Sequence, residues 1–164
     1  MFTVGDNVVY PGHGAGKVKD VSRKTILDEE QFYFVIFFPL QKITLSLPEK
    51  TIQESGLRPA NTQTECSSLL ASLSERDPVN EFPKPSGRQD ERLRSGSMDD
   101  CADVFFELTC KKTIHQKLHM QEKKSLELSR KLLISELMLV HDASETEAAL
   151  MLDSPMDTLL KERL

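Results

Sequence analysis

The first third of the chain has the short hydrophobic segments that are typical of β-strands. Val8–Tyr10 consists of β-forming residues, and Lys17–Val21 alternates polar and apolar side chains. Phe32–Phe38 is a continuous aromatic and β-branched run, which suits a central strand, and Ile43–Leu47 alternates again until Pro48. Four or five short strands in about 50 residues predict a small, strongly bent antiparallel barrel.

Two interruptions between these segments are predicted to be turns. Pro11–Gly16 is rich in glycine, which supplies positive φ and lets two strands approach closely. The segment is not expected to bind phosphate, because it lacks the Gly-Lys-Ser/Thr ending and runs into a β pattern rather than a helix. Asp28–Gln31 is predicted to be a polar hairpin turn.

After residue 58 the apolar period becomes helical. Leucines between Leu69 and Leu73 predict a short helix before Asp77. Residues 76–97 are rich in Pro, Gly, Ser and charge, which indicates a loop or linker with room for one short helix near Arg88–Arg94.

The remaining chain predicts a helical bundle. Ser97 is a good N-cap for a helix over about Met98–Gln116, and a leucine stripe marks another over about Met120–His141. Ser144 is predicted to cap a further helix through a capping box, and Pro155 to begin a short terminal helix. The expected fold class is therefore α+β, with a barrel in domain 1–58 and an all-helical domain in 59–164.

Composition places the chain among ordinary globular proteins, with 38% hydrophobic and 29% charged residues. The first residues lack the pattern of a signal peptide, and no apolar run is long enough to cross a bilayer, so a cytoplasmic protein is expected. Three cysteines cannot pair evenly, and in a reducing compartment they are expected to be small buried thiols: Cys66, Cys101 and Cys110.

The net charge of −5 argues against a protein that coats nucleic acid by charge alone. The charge is unevenly distributed, however, and residues 101–141 carry seven basic against five acidic side chains. Any contact with DNA is therefore expected to be local and to involve this segment.

Candidate catalytic or metal-binding patterns are incomplete. His115, His119 and Glu122 have a spacing that one helix face could present to a metal, but no His-Glu-x-x-His motif or further ligand accompanies them. Solvated or capping roles are favoured. No nucleophile elbow or Cys–His dyad is marked out, so no enzyme activity, cofactor or metal is expected.

Two features of the 76–97 segment leave alternatives open. Arg88, Arg92 and Arg94 form a mild basic cluster, for which a solvated helix face is favoured over a phosphate contact. Phe82 lies beside Pro83 and Pro85 in the least core-like segment. It either packs back on a helix or is an exposed wedge that inserts at an opened base step.

The motif Val-Gly-Asp-Asn-Val-Val-Tyr-Pro-Gly-His-Gly-Ala-Gly-Lys-Val at Val4–Val18 resembles the opening of the CarD/CdnL family of bacterial transcription regulators. The same module opens the polymerase-binding domain of transcription-repair coupling factors. Further similarity covers Phe32–Phe38 and Ile43–Pro48, and the helical half resembles the family at Leu118–Leu126 and Ser129–Leu137. Similarity to nearly the whole chain favours the stand-alone regulator.

The resemblance implies a Tudor-like barrel that binds the β subunit of RNA polymerase by pairing strand edges. It also implies a helical domain that contacts promoter DNA at the upstream edge of the bubble and stabilises the open complex. A monomer is expected. The polymerase contacts implied are Lys24, Thr25, Lys42, Thr44 and Ser46, and the DNA contacts are Phe82, Lys84, Arg88, Lys123, Lys124 and Arg130.

The sequence departs from the family at some of these positions. Phe82 stands where the family has a Trp wedge followed by basic and aromatic residues, and here two prolines flank Lys84. Ser46 replaces a side chain that is often basic, and His119 replaces a capping Ser.

Three other functions remain as alternatives. The first is an elongation or coupling factor with an SH3-like barrel, against which the helical half argues. The second is a peptide-binding adaptor unconnected with transcription. The third is an enzyme that uses His115 and His119 with a metal.

Overall fold

A computed structural model describes residues 2–78, 81 and 88–163. Five strands form one antiparallel sheet in the order β4-β3-β2-β1-β5. A helical half follows, so the predicted α+β class is confirmed. The strands are β1 (Asn7–Tyr10), β2 (Gly14–Ile26), β3 (Glu29–Phe38), β4 (Ile43–Pro48) and β5 (Arg58–Pro59).

Six helices lie in the described part of the chain. The first of them directly follows β4, and the other five form the helical half. They are α1 (Glu49–Ser55), α2 (Gln63–Glu75), α3 (Arg88–Arg94), α4 (Met98–His115), α5 (Met120–Val140) and α6 (Glu145–Arg163). No helix in the described ranges is both long and apolar enough to span a bilayer.

The predicted barrel is not closed. Among the described residues, β4 pairs only with β3 and β5 only with β1, so no pairing joins the two ends of the sheet. One reason is that β5 is two residues long and includes Pro59, which has no N–H to donate to another strand. The other is that α1, which the sequence did not predict, occupies the connection between β4 and β5.

Both predicted turns in the sheet are shifted. Strand β2 begins at Gly14, inside the segment predicted to be a turn, because glycines fit where side chains crowd the backbone. A Cβ at Gly16 would lie 2.7 Å from Ile36 Cγ2 on β3. The hairpin turn is Leu27-Asp28 rather than Asp28–Gln31, and residues 29–31 belong to β3.

The helical predictions are mostly confirmed. The Ser97 hydroxyl accepts a hydrogen bond from the Asp100 N–H at 3.3 Å, and the Ser144 hydroxyl accepts one from the Glu147 N–H at 3.1 Å. The separate terminal helix is wrong, because Pro155 lies inside the continuous helix α6. Proline there removes one backbone hydrogen bond, and packing of α6 against α2 and α5 stabilises the helix despite that loss.

Apolar burial is concentrated in two clusters. The inner face of the sheet carries Val18, Phe34, Ile36 and Phe38, and Ile52 of α1 covers it. The larger cluster lies between the helices and includes the three cysteines, which are buried and form no disulfide among the described residues, as predicted. Each half of the chain therefore has its own apolar core.

The joint between the sheet and the helices is an ion pair of low solvent exposure. The Arg58 guanidinium donates two hydrogen bonds to the Glu136 carboxylate, at 2.7 and 3.0 Å, and Glu136 is only 3% exposed. The Asn61 N–H donates to the same carboxylate at 2.8 Å, and Arg58 Nε donates to the Gly96 carbonyl. Three segments distant in sequence thus meet at the Arg58–Glu136 pair.

Two glycines allow the backbones to approach at this joint. The Ala15 N–H donates to the Ser135 hydroxyl at 3.0 Å, and a Cβ at Gly14 would lie 2.7 Å from the Ser135 Oγ. A Cβ at Gly96 would lie 2.9 Å from Pro11 Cγ. Both glycines also have positive φ, which other residues rarely adopt. The glycine-rich motif therefore docks the sheet on α5.

A second buried ion pair fixes α4 against α5. Lys111 Nζ donates to the Glu122 carboxylate at 2.6 Å, and the His119 N–H donates to it at 3.0 Å. Burial raises the pKa of Glu122, but these two donors outweigh burial and hold the pKa below its ordinary value. The ionised carboxylate thereby also caps the first turn of α5.

Replacing Glu136 tests the importance of the joint. Glu136→Gln leaves Arg58 without its charge partner, so we expect the free energy of unfolding in a urea titration to fall by about 3 kcal/mol. The matched control is Glu30→Gln, which breaks the exposed Arg23–Glu30 pair (N–O distance 3.6 Å) and should cost at most about 0.5 kcal/mol. Equal losses in the two variants would contradict a dominant role for the joint.

The lowered pKa of Glu122 predicts a pH dependence of stability. Because the carboxylate is more acidic in the folded chain, its stabilising contribution is present above pH 4.5 and is lost as pH falls through the lower, folded-state pKa. Glu122→Gln should therefore be less stable than the wild type at pH 6, with a difference that shrinks below pH 4.5. A difference that stays constant between pH 6 and pH 3 would contradict this linkage.

Candidate protein and nucleic-acid interfaces

The outer face of the sheet carries a row of half-buried apolar side chains. In the antiparallel register, Tyr33, Val35 and Phe37 of β3 point away from the inner core, and none of them belongs to either apolar cluster described above. Most of their neighbours in register are polar, including Ser22 and Asp20 on β2 and Ser46 and Thr44 on β4, and the exception is Pro48 opposite Tyr33. We call this surface the outer face. An aromatic row with a polar rim is typical of protein interfaces.

Cations lie over the rings of this surface. Lys24 Nζ is 4.8 Å from the centroid of the Tyr33 ring, and Lys19 Nζ is 6.0 Å from that of Phe37. Lys19 is the extra residue where the β2–β3 register shifts between Val18 and Asp20. These contacts orient both ammonium groups beside the aromatic row while leaving the two lysines exposed.

All five predicted polymerase contacts are exposed, but they are not on one surface. Lys24, Thr44 and Ser46 share the outer face, with Lys24 and Ser46 four positions apart along β3, or roughly 13 Å. Thr25 points to the opposite side, since it neighbours Glu30 in register. Lys42 lies in the turn before β4 with a positive φ of 57°.

Both long edges of the sheet have stretches without a strand partner among the described residues. β4 is an edge strand over its whole length. Strand β1 pairs with β2 only over Gly14–Lys17. The rest of β2 therefore has an open edge on the side away from β3. Open backbone donors and acceptors of this kind can extend a partner's sheet.

The helical half presents a cationic cleft at the α4–α5 connection. The cleft has a volume of about 520 Å³ and is lined by Lys112, Lys117, Lys123 and Arg130, with one carboxylate, Glu127. Within the described ranges, the three lysines form no ion pair, whereas Arg130 pairs with Asp153 and Glu127 with Lys131. Three free ammonium groups around one cleft suit an anion such as a phosphate backbone.

The predicted DNA contacts are divided between this cleft and other places. Lys123 and Arg130 line the cleft, and Lys124 is exposed next to it on α5. Phe82 and Lys84 lie outside the described residues, so the predicted wedge stays a prediction. Arg88 is the first residue of α3.

The predicted arginine cluster has a different role at Arg92. Its guanidinium donates two hydrogen bonds to the Glu107 carboxylate of α4, at 2.8 and 3.0 Å. Hydrogen bonding to Glu107 raises the pKa of Arg92 further. Arg92 therefore fixes α3 to α4, while Arg94 is exposed. The prediction of a wholly solvated face was wrong for Arg92.

The histidine run considered for a metal is interrupted. Helix α4 ends at His115, Gln116 adopts a left-handed conformation with φ 54°, and His119 precedes the next helix. Glu122 is occupied by Lys111 and the His119 N–H. In the described part of the chain, no group of three or more His, Cys, Asp or Glu side chains is placed to hold a metal ion.

Two of the three cysteine thiols are poor nucleophiles. Burial, with the Glu136 carboxylate nearby, raises the pKa of Cys66 to about 11 and that of Cys101 to about 12. The thiolate is the reactive form, so neither sulfur is activated at neutral pH.

Sequence reasoning missed the residues that give both surfaces their character. The outward direction of Tyr33, Val35 and Phe37 depends on the strand register, which a continuous apolar run does not reveal. Lys112 and Lys117 were included in the basic segment 101–141 but were not predicted as DNA contacts. Their place in the cleft follows from the bend between α4 and α5, for which the left-handed Gln116 gives no strong sequence signal.

Comparisons with known proteins agree with this architecture. The model of the CarD-like/TRCF RID domain matches residues 2–60, and that of the CarD C-terminal domain matches residues 73–153. The chain is also similar to "Putative transcription factor YdeB" of Bacillus subtilis (strain 168), with 29% identity over 149 residues that cover 90% of this chain and 97% of that protein.

Proposed function

The chain belongs to the CarD/CdnL family of transcription regulators, and from that premise we propose that it binds RNA polymerase and promoter DNA at the same time. Residues 1–58 bind the β subunit of the polymerase, and residues 59–164 contact DNA at the upstream edge of the bubble and stabilise the open complex. In this proposal the protein acts as a cytoplasmic monomer without catalytic activity or a cofactor.

The observation that carries the polymerase proposal is the outer face of the sheet. Tyr33, Val35 and Phe37 would lose further apolar surface to water on docking, and Lys24 is held beside them over the Tyr33 ring. The adjoining open edges of β2 and β4 supply backbone hydrogen bonds to a partner strand. The polar rim residues Thr44 and Ser46 complete the surface.

The DNA part of the proposal rests on tethering. A chain with a net charge of −5 binds DNA weakly on its own, but its cationic cleft presents Lys112, Lys117 and Lys123 locally. Binding to polymerase raises the effective concentration of this cleft at the promoter. We include Lys84, Lys124 and Arg130 as further phosphate contacts and Phe82 as the wedge that replaces the family's Trp.

The alternative functions are less well supported. An SH3-like elongation factor or a peptide adaptor requires only the N-terminal sheet. It leaves the match of residues 73–153 to the CarD C-terminal domain without a role. A metal enzyme has no ligand set within the described residues.

Reversing one charge tests polymerase binding. Lys24→Glu should weaken binding of the full-length chain to purified core RNA polymerase roughly tenfold, because it places a carboxylate beside the aromatic row. Unfolding in urea should change little, since Lys24 is exposed. The matched control is Lys50→Glu on α1, an exposed lysine on the covered, inner side of the sheet, which should bind like the wild type. Equal binding by all three proteins would contradict the proposed surface.

Neutralising two lysines tests the DNA contact. The double variant Lys117→Gln/Lys123→Gln should still bind polymerase, but it should shorten the lifetime of the open complex relative to the wild type. If each lysine contacts one phosphate, the slope of log K against log salt for promoter binding falls by about 2. Lys161→Gln, an exposed lysine of α6, is the control and should leave both quantities unchanged. An unchanged lifetime and slope in the double variant would exclude the cleft.

A further inference from the structure

At the tip of the β2–β3 hairpin, Leu27 has a positive φ that leucine rarely adopts. Leu27 and Asp28 form a two-residue connection in which both residues have positive φ, 52° and 64°. Connections of this kind favour Asn, Asp or Gly. Asp28 fits that preference, but Leu27 is a branched apolar residue in a region that L side chains adopt only at a steric cost.

Leu27 is also the most exposed large hydrophobic side chain in the described part of the chain. It is 94% exposed, and the preceding residue, Ile26, is 43% exposed. A single exposed leucine is ordinary on a protein surface. At Leu27, however, no burial within the chain compensates for the strained backbone. The residue therefore carries two costs, a positive φ and an apolar side chain exposed to water.

The tip is continuous with the outer face. In register, Ile26 neighbours Glu29 and lies on the same side of the sheet as Lys24, two residues before it on β2. The open edge of β2 runs up to the tip, because β1 covers only Gly14–Lys17. A partner docked on the outer face and along this edge would therefore reach Ile26 and Leu27.

We propose that Leu27, supported by Ile26, is an apolar anchor that inserts into an apolar pocket of the polymerase β subunit. This inference deepens the proposed function and rests on it. Glu29, opposite Ile26 in register, puts a carboxylate beside the anchor on the docking side, and the Arg23–Glu30 ion pair lies on the other side of the hairpin, so the matching pocket has a polar rim. The Leu27 side chain becomes buried only in the complex. This accounts for its exposure to water in the free protein.

The experiment exploits opposite effects on stability and binding. Leu27→Asn places a residue that tolerates positive φ at the tip, so the full-length variant should melt roughly 2–4 °C higher than the wild type. The same change removes the anchor and should weaken binding to purified core RNA polymerase roughly tenfold. An exposed residue with a merely structural role would not move these two measurements in opposite directions.

Two control variants separate strain from contact. Asp28→Gly keeps a residue that tolerates positive φ at the neighbouring position and does not remove the anchor, so it should not lower the melting temperature and should bind polymerase like the wild type. Leu150→Gln removes a leucine that is 62% exposed on α6, far from the sheet, and should leave binding unchanged.

The remaining outcomes distinguish this inference from the function on which it rests. If the wild type binds polymerase and Leu27→Asn binds equally well, the anchor is wrong and the proposed function stands. If the wild type does not bind polymerase, both fail together. If the wild type is a dimer at micromolar concentration by light scattering and Leu27→Asn is a monomer, the tip pairs with a second copy of this chain. That result would also overturn the proposal.

Discussion

The contact between Arg58 and Glu136 determines how the two surfaces of this protein are arranged. Each half of the chain has its own apolar core, and each could in principle turn relative to the other. The buried carboxylate prevents this, since it accepts hydrogen bonds from Arg58 and from the chain after β5, while Arg58 also holds the Gly96 carbonyl before α4. The outer face and the cationic cleft therefore have a fixed relative orientation. The proposed function depends on such an orientation, because tethering increases binding only when both sites can be engaged at once.

Charge and shape have separate roles in this arrangement. The acidic balance of the whole chain disfavours non-specific association with nucleic acid, whereas the lysines at the α4–α5 connection provide a small positive region. Ion pairs elsewhere on the helices, such as Lys111–Glu122 and Arg92–Glu107, use basic side chains for packing and so make them unavailable to a phosphate. The number of basic residues in a segment thus overstates how many can bind a phosphate.

The sequence predicted the order and type of most elements because their signals are local. Alternation marks β4, the leucine stripe marks α5, and serine caps mark the starts of α4 and α6. Features that depend on contacts between distant segments were missed. Glycines indicated a turn at Pro11–Gly16, yet half of that segment is strand because Gly14 and Gly16 lie against Ser135 and Ile36. The prediction of a closed barrel was wrong for a similar reason, since the short β5 and α1 could not be predicted from apolar periodicity.

For the candidate site, the polarity of the predicted polymerase contacts was enough to predict their exposure. Which of them share one face of the sheet depends on strand register, which the sequence does not show.

The Tyr-Pro-Gly-His-Gly turn has a consequence for how this architecture can diverge. The motif by which the chain is recognised holds the sheet against the helical half, through Gly14 at Ser135 of α5 and through Pro11 at Gly96 before α4, and it contributes nothing to the outer face or the cationic cleft. Geometry and specificity are thus encoded in different residues. In the proposed function, substitutions at Thr44, Ser46 or Lys112 change affinity for polymerase or DNA without disturbing the joint, whereas a side chain at Gly14 would collide with Ser135. Relatives that share the motif are therefore expected to share the relative orientation of sheet and helices and to differ in what they bind.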